Sequence, residues 1–487
     1  MSTSRPWYRS EWVTSPWTWL LVIGLIPRIV LSFGSLPILW PDSLTYLASA
    51  TMMADENNFW LHEVYRTPLY PLFLAVSLKL FGHTEAAGQA VVLVQRLLGI
   101  GSGLLLFSIL RRAFSGRVAL IGAILFLLAP LQLYYETVLL TEAQFTFLLF
   151  LFLWIVGFVL AQLQRDERSF AAFAALGLSG AILALSRPIG QLLLLCVLAL
   201  FMIRFGVRRK VVSGAVVTLS VFTVTIFPWL WVNHHYYGFW GISRDIGINL
   251  FHRIVDVDSS PLPEKSTDRF IRKQVVKARR KTTTTYFHVY HALAISMKRD
   301  RVATTELKRS IDDRMKAFAL EVVRASPDRF VPNSLDNFRR LFFDSRHSLH
   351  FCEDGVGKPY LCAPQRRLMA RIVSVDRTPP SESARAFTHW YMRAFLIPEP
   401  MVSLLFMIGV ALCLLRYPSA ERLFLLFVVL YFTGLAALLN CPEDRFRLPV
   451  DGLIFAFVAC GAVGLFDLMR RRATLIQGSG DIAKRSI

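Results

Sequence analysis

The run Trp17–Leu39, WTWLLVIGLIPRIVLSFGSLPIL, and the segment Trp40-Pro41-Asp42-Ser43-Leu44-Thr45-Tyr46 that follows it decide how this chain reads. The run is long enough to cross about 30 Å of hydrocarbon as a helix. It lacks a small-residue cleavage site, so it is expected to stay as a transmembrane helix and not to be removed as a signal peptide. The segment after it sets a carboxylate at the mouth of that helix, where an ionisable group is costly without a task.

The rest of the chain agrees with a membrane setting. Of its 487 residues, 54% are hydrophobic in type and only 18% are charged; mean hydropathy is +0.46. A soluble protein carries about a quarter charged residues. The formal net charge is +20. With so much apolar sequence, that charge points to anionic lipid as partner and not to nucleic acid. The six cysteines form no metal-binding pattern. Cys196, Cys413 and Cys460 lie in apolar runs and read as core thiols. Cys352 and Cys362 share one polar segment, where a disulfide and two free thiols both fit.

Ten apolar runs are candidates for spans: 17–38, 88–110, 117–134, 141–163, 169–186, 188–204, 211–231, 399–416, 419–440 and 448–469. Counting ten puts the arginine-rich loops on one side. These are Arg5 and Arg9; Arg111, Arg112 and Arg117; Arg165 and Arg168; Arg204, Arg208, Arg209 and Lys210; Arg416 and Arg422; and Arg470 to Arg472. That side is expected to be the cytoplasm, with both termini inside, as in a bacterial inner membrane protein. One more apolar stretch, from Thr67 to Phe81, would reverse every later loop if it crossed. Residues 40–87 are therefore expected to form an extracytoplasmic loop with interfacial helices, anchored by Trp60, Tyr65 and Tyr70.

Four parts follow: an N-terminal transmembrane module over 1–232 that includes the loop 40–87, a polar block over 233–398, C-terminal helices over 399–469 and a cytoplasmic tail over 470–487. The polar block holds 29 Lys and Arg against 17 Asp and Glu. Long domains cross regardless of charge, so it is expected outside and mostly helical. Leu307, Ile311, Met315, Phe318 and Val322 follow a helical spacing that Ser326-Pro327-Asp328 ends.

The outer ends of the runs collect the unusual residues. Asp42 and Tyr46 are one helical turn apart. Arg66 precedes Pro68 and Pro71, with Tyr70 between them. Glu136 and Glu142 flank the next outer loop, and Arg187 stands before Pro188. His234 follows the seventh run, and Arg445 and Arg447 precede the last. Each has an ordinary reading: Arg and Tyr as headgroup anchors, Glu136 or Glu142 as a solvated residue or cap, His234 as interfacial packing, Asp42 as a helix cap. What the ordinary readings leave unexplained is that all fall on one face. A carboxylate there can take a proton from an acceptor, and arginines can hold a phosphate by charge-assisted hydrogen bonds. Such a leaving group is already an anion, so it needs positive charge and no proton donor.

Four segments give these residues a family likeness: Pro41-Asp42-Ser43-Leu44-Thr45-Tyr46, Arg66-Thr67-Pro68-Leu69-Tyr70-Pro71, Leu140-Thr141-Glu142 and Arg445-Phe446-Arg447-Leu448-Pro449. In that order and placement the chain resembles the integral-membrane GT-C glycosyltransferases, in the branch of the protein O-mannosyltransferases and lipid A aminoarabinose transferases. The likeness covers most of 15–260 and 399–469. It implies an all-α polytopic GT-C fold and an extracytoplasmic site. It also implies a polyprenyl-phosphate sugar donor and inversion at the anomeric carbon. Asp42 is then the catalytic base and Arg66 a donor-phosphate contact. Where many relatives carry a second acidic residue, this chain has Ser43, which argues against a paired-acid or metal role there. No cofactor or metal is expected.

The expected function is transfer of that sugar to an anionic glycolipid such as lipopolysaccharide, another cell-envelope glycan, or a protein. Arg66, Arg187, Arg445 and Arg447 would hold the lipid phosphate. Tyr46, Tyr70, Glu136, Glu142 and His234 would contact substrate. The alternative is a membrane transporter or lipid flippase. Transporters tend to show repeated halves and charges at the midplane. This sequence shows no repeat, and apart from Arg28 and Arg96 its unusual charges gather at one face.

Overall fold

The computed structural model describes residues 15–32, 37–57, 66–167, 169–263, 266–280, 285–300, 304–343, 390–391, 394–395, 398–416, 418–440 and 442–485. Cys352, Cys362, Arg5, Arg9, Trp60 and Tyr65 lie outside them. The described chain is all-helical. Its apolar helices are α1 (Pro16–Ser32), α4 (Glu85–Ala113), α5 (Gly116–Leu128), α7 (Glu142–Gln164), α8 (Phe170–Ser186), α9 (Gln191–Phe205), α10 (Arg209–Tyr237), α16 (Glu399–Leu415), α17 (Ala420–Leu439) and α18 (Asp444–Arg485). Each falls on one of the ten apolar runs. Six described segments have the length and composition of a span: Glu85–Ala113, Glu142–Gln164, Pro188–Phe205, Arg209–Tyr237, Ala420–Leu439 and Arg445–Arg472. The chain is a multi-pass membrane protein, and the all-helical membrane fold expected from the sequence is borne out.

Two short helices, α2 (Pro41–Asp55) and α3 (Leu69–Phe81), pack on each other between α1 and α4. At 1.5 Å per residue α3 is about 20 Å long, short of the hydrocarbon thickness. The third apolar run breaks where the sequence reading had it continuous. Ala129 precedes Pro130 and takes an extended backbone (φ −60°, ψ 120°), so α5 stops and α6 (Pro130–Tyr135) restarts. Proline at the first helical position loses no needed N–H.

The membrane core is aromatic and close-packed, with Phe107, Phe126, Phe150, Phe152, Phe432 and Phe457 all buried. Ile203, Val224, Leu404 and Leu415 face outward, the surface that lipid covers. Glycine lets α16 and α18 touch: a Cβ on Gly409 would lie 1.9 Å from the Phe457 carbonyl oxygen, and one on Gly461 2.2 Å from that of Leu405.

The polar block has its own core. Its described helices are α11 (Ile246–His252), α12 (Arg269–Arg279), α13 (Thr285–Arg299), α14 (Thr304–Ala325) and α15 (Pro327–Phe343), the last of which buries Leu341 and Phe342 in the membrane core. Leu307, Ile311, Met315, Phe318 and Val322 are all buried in the block's own core, as their spacing predicts. One cation ties this core to the membrane helices. Arg253 is fully buried; it donates to the carbonyls of Ala437 and Leu438 in the last turn of α17, to Ser334 of α15 and to Asp258. Helix ends leave carbonyls unsatisfied, and this guanidinium serves two of them.

Candidate active site

Asp42 is the second residue of α2, after Pro41 at the first helical position. Ser43 is fully buried, and its hydroxyl accepts a hydrogen bond from the Trp40 backbone N–H at 3.0 Å. The Trp40 indole donates to Tyr134 at 3.0 Å. A parallel bridge between Ile38 and Val138 straps the approach to α2 onto the loop after α6. Ser43 thus closes the helix start instead of supplying a second acid, which leaves the Asp42 side chain free of any capping duty.

That side chain goes to two arginines. Oδ1 accepts from Arg66 Nη2 at 2.8 Å, and Oδ2 accepts from Arg445 Nη1 at 2.7 Å. The partners stand 24 and 403 residues away. The Asp42 side chain is 35% exposed, those of Arg66 and Arg445 21% and 18%. Burial works to raise the Asp42 pKa, but Arg66 and Arg445 overturn it and hold the carboxyl well below the usual carboxylate range.

Each arginine has further anchors. Arg66 donates from Nε to the Thr45 hydroxyl at 2.8 Å and from Nη1 to the Tyr46 hydroxyl at 3.3 Å; its guanidinium also lies over the Tyr46 ring. Tyr46 stands edge-on to Tyr70, whose hydroxyl donates to Gln95 of α4. Tyr70 is thus fully buried behind the site as support. Arg445 pairs with Glu443 at 2.7 Å and lies over the Phe446 ring.

The neighbouring outer loops bring Glu142 and Arg187. The Thr67 hydroxyl donates to the Ser186 carbonyl, joining the segment after Arg66 to the end of α8. Arg187, the next residue, donates to Glu142 Oε1 at 3.0 Å. The other Glu142 oxygen is buried without a hydrogen-bond partner. The charge of Glu142 acts on both Tyr70 and Arg445, so this second pair belongs to the same cluster.

Three expected site residues lie apart from Asp42. Arg447 donates to Asp451 one turn on, and to the Leu341 carbonyl. Because α18 already begins at Asp444, residues two apart point to opposite faces, and only Arg445 reaches the carboxylate. Glu136 is fully buried and bidentate with Arg28 of α1, at 2.6 and 2.8 Å. Gln132 donates to the same carboxylate, and Gly99 leaves it room: a Cβ there would sit 1.8 Å from Oε1. Its oxygens are therefore committed to a brace. His234 is exposed and stacks on Trp240, ring centroids 4.3 Å apart.

Two residues of the polar block join the cluster without having been singled out in the sequence. The left-handed Gly238 (φ 67°) ends α10, and Asn233 and Trp229 donate to the carbonyls of the turn 241–242. That turn delivers Asp245 at the N-cap of α11. Its carboxylate caps nothing; it takes a bond from Ser243 and lies in the field of Arg66. Burial pushes its pKa up. One α11 length on, His252 is pushed down by burial and feels Asp256, Glu443 and Arg445. Asp at a helix start is a readable signal; which helix end meets Arg66 is not. Among the described residues no three of His, Cys, Asp and Glu converge as a metal-ligand set.

Comparison with solved structures finds chains of similar fold at low identity. The oligosaccharyltransferase AglB of Archaeoglobus fulgidus, in complex with an inhibitory peptide and a dolichol-phosphate, aligns at 14% identity and TM-score 0.48 over 97% of this chain and 52% of that one. ArnT of Cupriavidus metallidurans bound to undecaprenyl phosphate aligns at 16% identity and TM-score 0.35, over 91% of this chain and 77% of that one. The chain spans about half the length of the archaeal enzyme. Comparison with curated protein sequences finds no match. The likeness expected from the sequence is borne out over part of the chain: residues 65–231, which carry Arg66, Glu142 and Arg187, match the family model of the dolichyl-phosphate-mannose-protein mannosyltransferases.

Proposed function

We propose that the protein is a membrane glycosyltransferase. It moves a sugar from a polyprenyl-phosphate carrier to an acceptor at the outer face of a bacterial inner membrane, with inversion and with both termini in the cytoplasm. The observation that carries this reading is Asp42 between Arg66 and Arg445, a carboxylate and two guanidiniums drawn from opposite ends of the chain to the mouth of the membrane helices. Asp42 is the base for the attacking acceptor hydroxyl or amine. Arg66 and Arg445 stabilise the departing phosphate, with Arg187 at its flank and Glu142 against the sugar or acceptor. Tyr46 keeps Arg66 in place. Arg447 and Glu136 hold the outer ends of the helices together.

The acceptor is an anionic glycolipid, a cell-envelope glycan or a protein, bound under the basic block 233–398. Among the described residues of that block, Asp245 lies in the field of Arg66 and His252 in that of Arg445. The matched family model and the lipid phosphates bound by AglB and ArnT support a lipid-linked donor. The test is sugar transfer from a radiolabelled polyprenyl-phosphate sugar by purified Asp42→Asn. A loss of about 10²–10⁴ in rate is expected from removing a general base. Near wild-type transfer by the folded variant would sink the assignment.

A further inference from the structure

A base clamped by two cations is a poor base. Both Asp42 oxygens are occupied, each by a charge-assisted hydrogen bond from a different arginine. These bonds stabilise the charged carboxylate and oppose its taking a proton. The two guanidiniums are already matched by two carboxylates, Asp42 and Glu443. On Arg66 the amino group that holds Asp42 is also the one a donor phosphate would need, since its other groups are held by Thr45 and Tyr46; on Arg445, Asp42 stands at Nη1 and Glu443 at Nε.

We infer that Asp42 and the donor phosphate compete for one subsite on Arg66 and Arg445, and that the donor phosphate evicts the carboxylate. The inference rests on the glycosyltransferase reading above. A phosphate offers two oxygens to the same pair of arginine nitrogens. The remaining anchors of Arg66 and Arg445 keep both guanidiniums in place when the carboxylate leaves. Asp42 sits in the first turn of α2 with a third of its side chain exposed, so it has space to turn away.

Eviction changes the chemistry of the carboxylate. It loses two hydrogen bonds to its charged form, and the cluster goes from balanced to net negative. Both raise its affinity for a proton. Asp42 thus becomes a base only when the leaving group is seated. The acceptor O–H proton passes to Asp42 as the acceptor oxygen bonds to the anomeric carbon. The bond from that carbon to the phosphate oxygen breaks, and its electron pair leaves on the phosphate held by Arg66 and Arg445. An unloaded site keeps its base locked.

The test is equilibrium binding of undecaprenyl phosphate to the full-length protein, with undecaprenol as the uncharged control. Asp42→Asn removes the internal competitor, so it is expected to bind undecaprenyl phosphate about tenfold more tightly or better. Undecaprenol binding should stay unchanged. Equal or weaker phosphate binding overturns the inference. A second measurement avoids the variant: in wild-type protein labelled with carboxyl-13C aspartate, undecaprenyl phosphate should shift one aspartate carboxyl resonance, and no shift overturns it. Loss of transfer in Asp42→Asn without tighter phosphate binding leaves the catalytic assignment standing and sinks only the eviction. Retained transfer sinks the catalytic assignment itself.

Discussion

The protein contains two arginine–carboxylate clusters of similar chemistry and opposite character. Arg28 and Glu136 are buried, bidentate, and served on every side by Gly24, Leu127 and Gln132. Asp42 shares its oxygens between two arginines and is a third exposed, and Glu142, whose charge reaches Arg445, keeps one carboxylate oxygen without a hydrogen-bond partner. The first cluster is closed to solvent, with Arg28 and Glu136 both buried. The second is open and can trade one anion for another. Exposure, not residue type, separates a brace from a site.

The sharpest way to break this contrast is to remove the acid from each cluster. Asp42→Asn is expected to lower transfer by about 10²–10⁴, with a loss of stability smaller than that at the buried brace because the pair is partly exposed. Glu136→Ala should do the reverse. It strands Arg28 in a buried setting and should cost about 3–5 kcal/mol of stability, read by thermal unfolding, with normal turnover in the molecules that fold. If Glu136→Ala folds normally and loses transfer, the brace is part of the site.

Arg445 and Arg447 allow a finer cut. Arg445→Gln is expected to weaken donor binding by about 1.5–3 kcal/mol, the worth of a hydrogen bond to a charged group, seen in KM for the donor. Arg447→Gln should leave donor KM alone and lower the unfolding temperature, because it frees Asp451 and the end of α15. Equal effects on KM would mean that α18 starts later than described.

The pH profiles sharpen the open cluster. The folded pKa of Asp42 lies below its unfolded value of about 3.9, so the stability from its pairing is complete above that pH and lost as pH falls further. For the free enzyme, kcat/KM should therefore show no acid limb from Asp42 between neutrality and about pH 4. In the loaded enzyme Asp42 is released, and the acid limb of kcat should lie at higher pH. Coincident limbs would argue against release. The smallest effect is expected for His234→Ala, within about 0.5 kcal/mol in stability, with transfer unchanged.

Much of this was legible in the sequence. The ten apolar runs each fold as helix, since hydrophobic length alone specifies that in a bilayer. Asp42 and Arg66 were legible because proline, aromatic and charge sit together in short segments. Arg445 and Arg447 were not separable, because their distinction depends on where α18 begins. Glu136 read as a substrate contact, or else as a solvated residue or cap; its partner Arg28 is 108 residues away, and no local pattern reports that. Asp245 and His252 went unnoticed for the same reason, as their relevance depends on which helix end rests over Arg66.

Arg253 has a consequence of a different kind. Its hold on the Ala437 and Leu438 carbonyls means that lifting the outer block frays the last turn of α17. Only a short stretch of chain separates that turn from Glu443 and Arg445. Opening of the block and loosening of the anion site therefore belong to one cooperative unit. Amide exchange should find the last turn of α17 and the first of α18 opening together, with a single free energy.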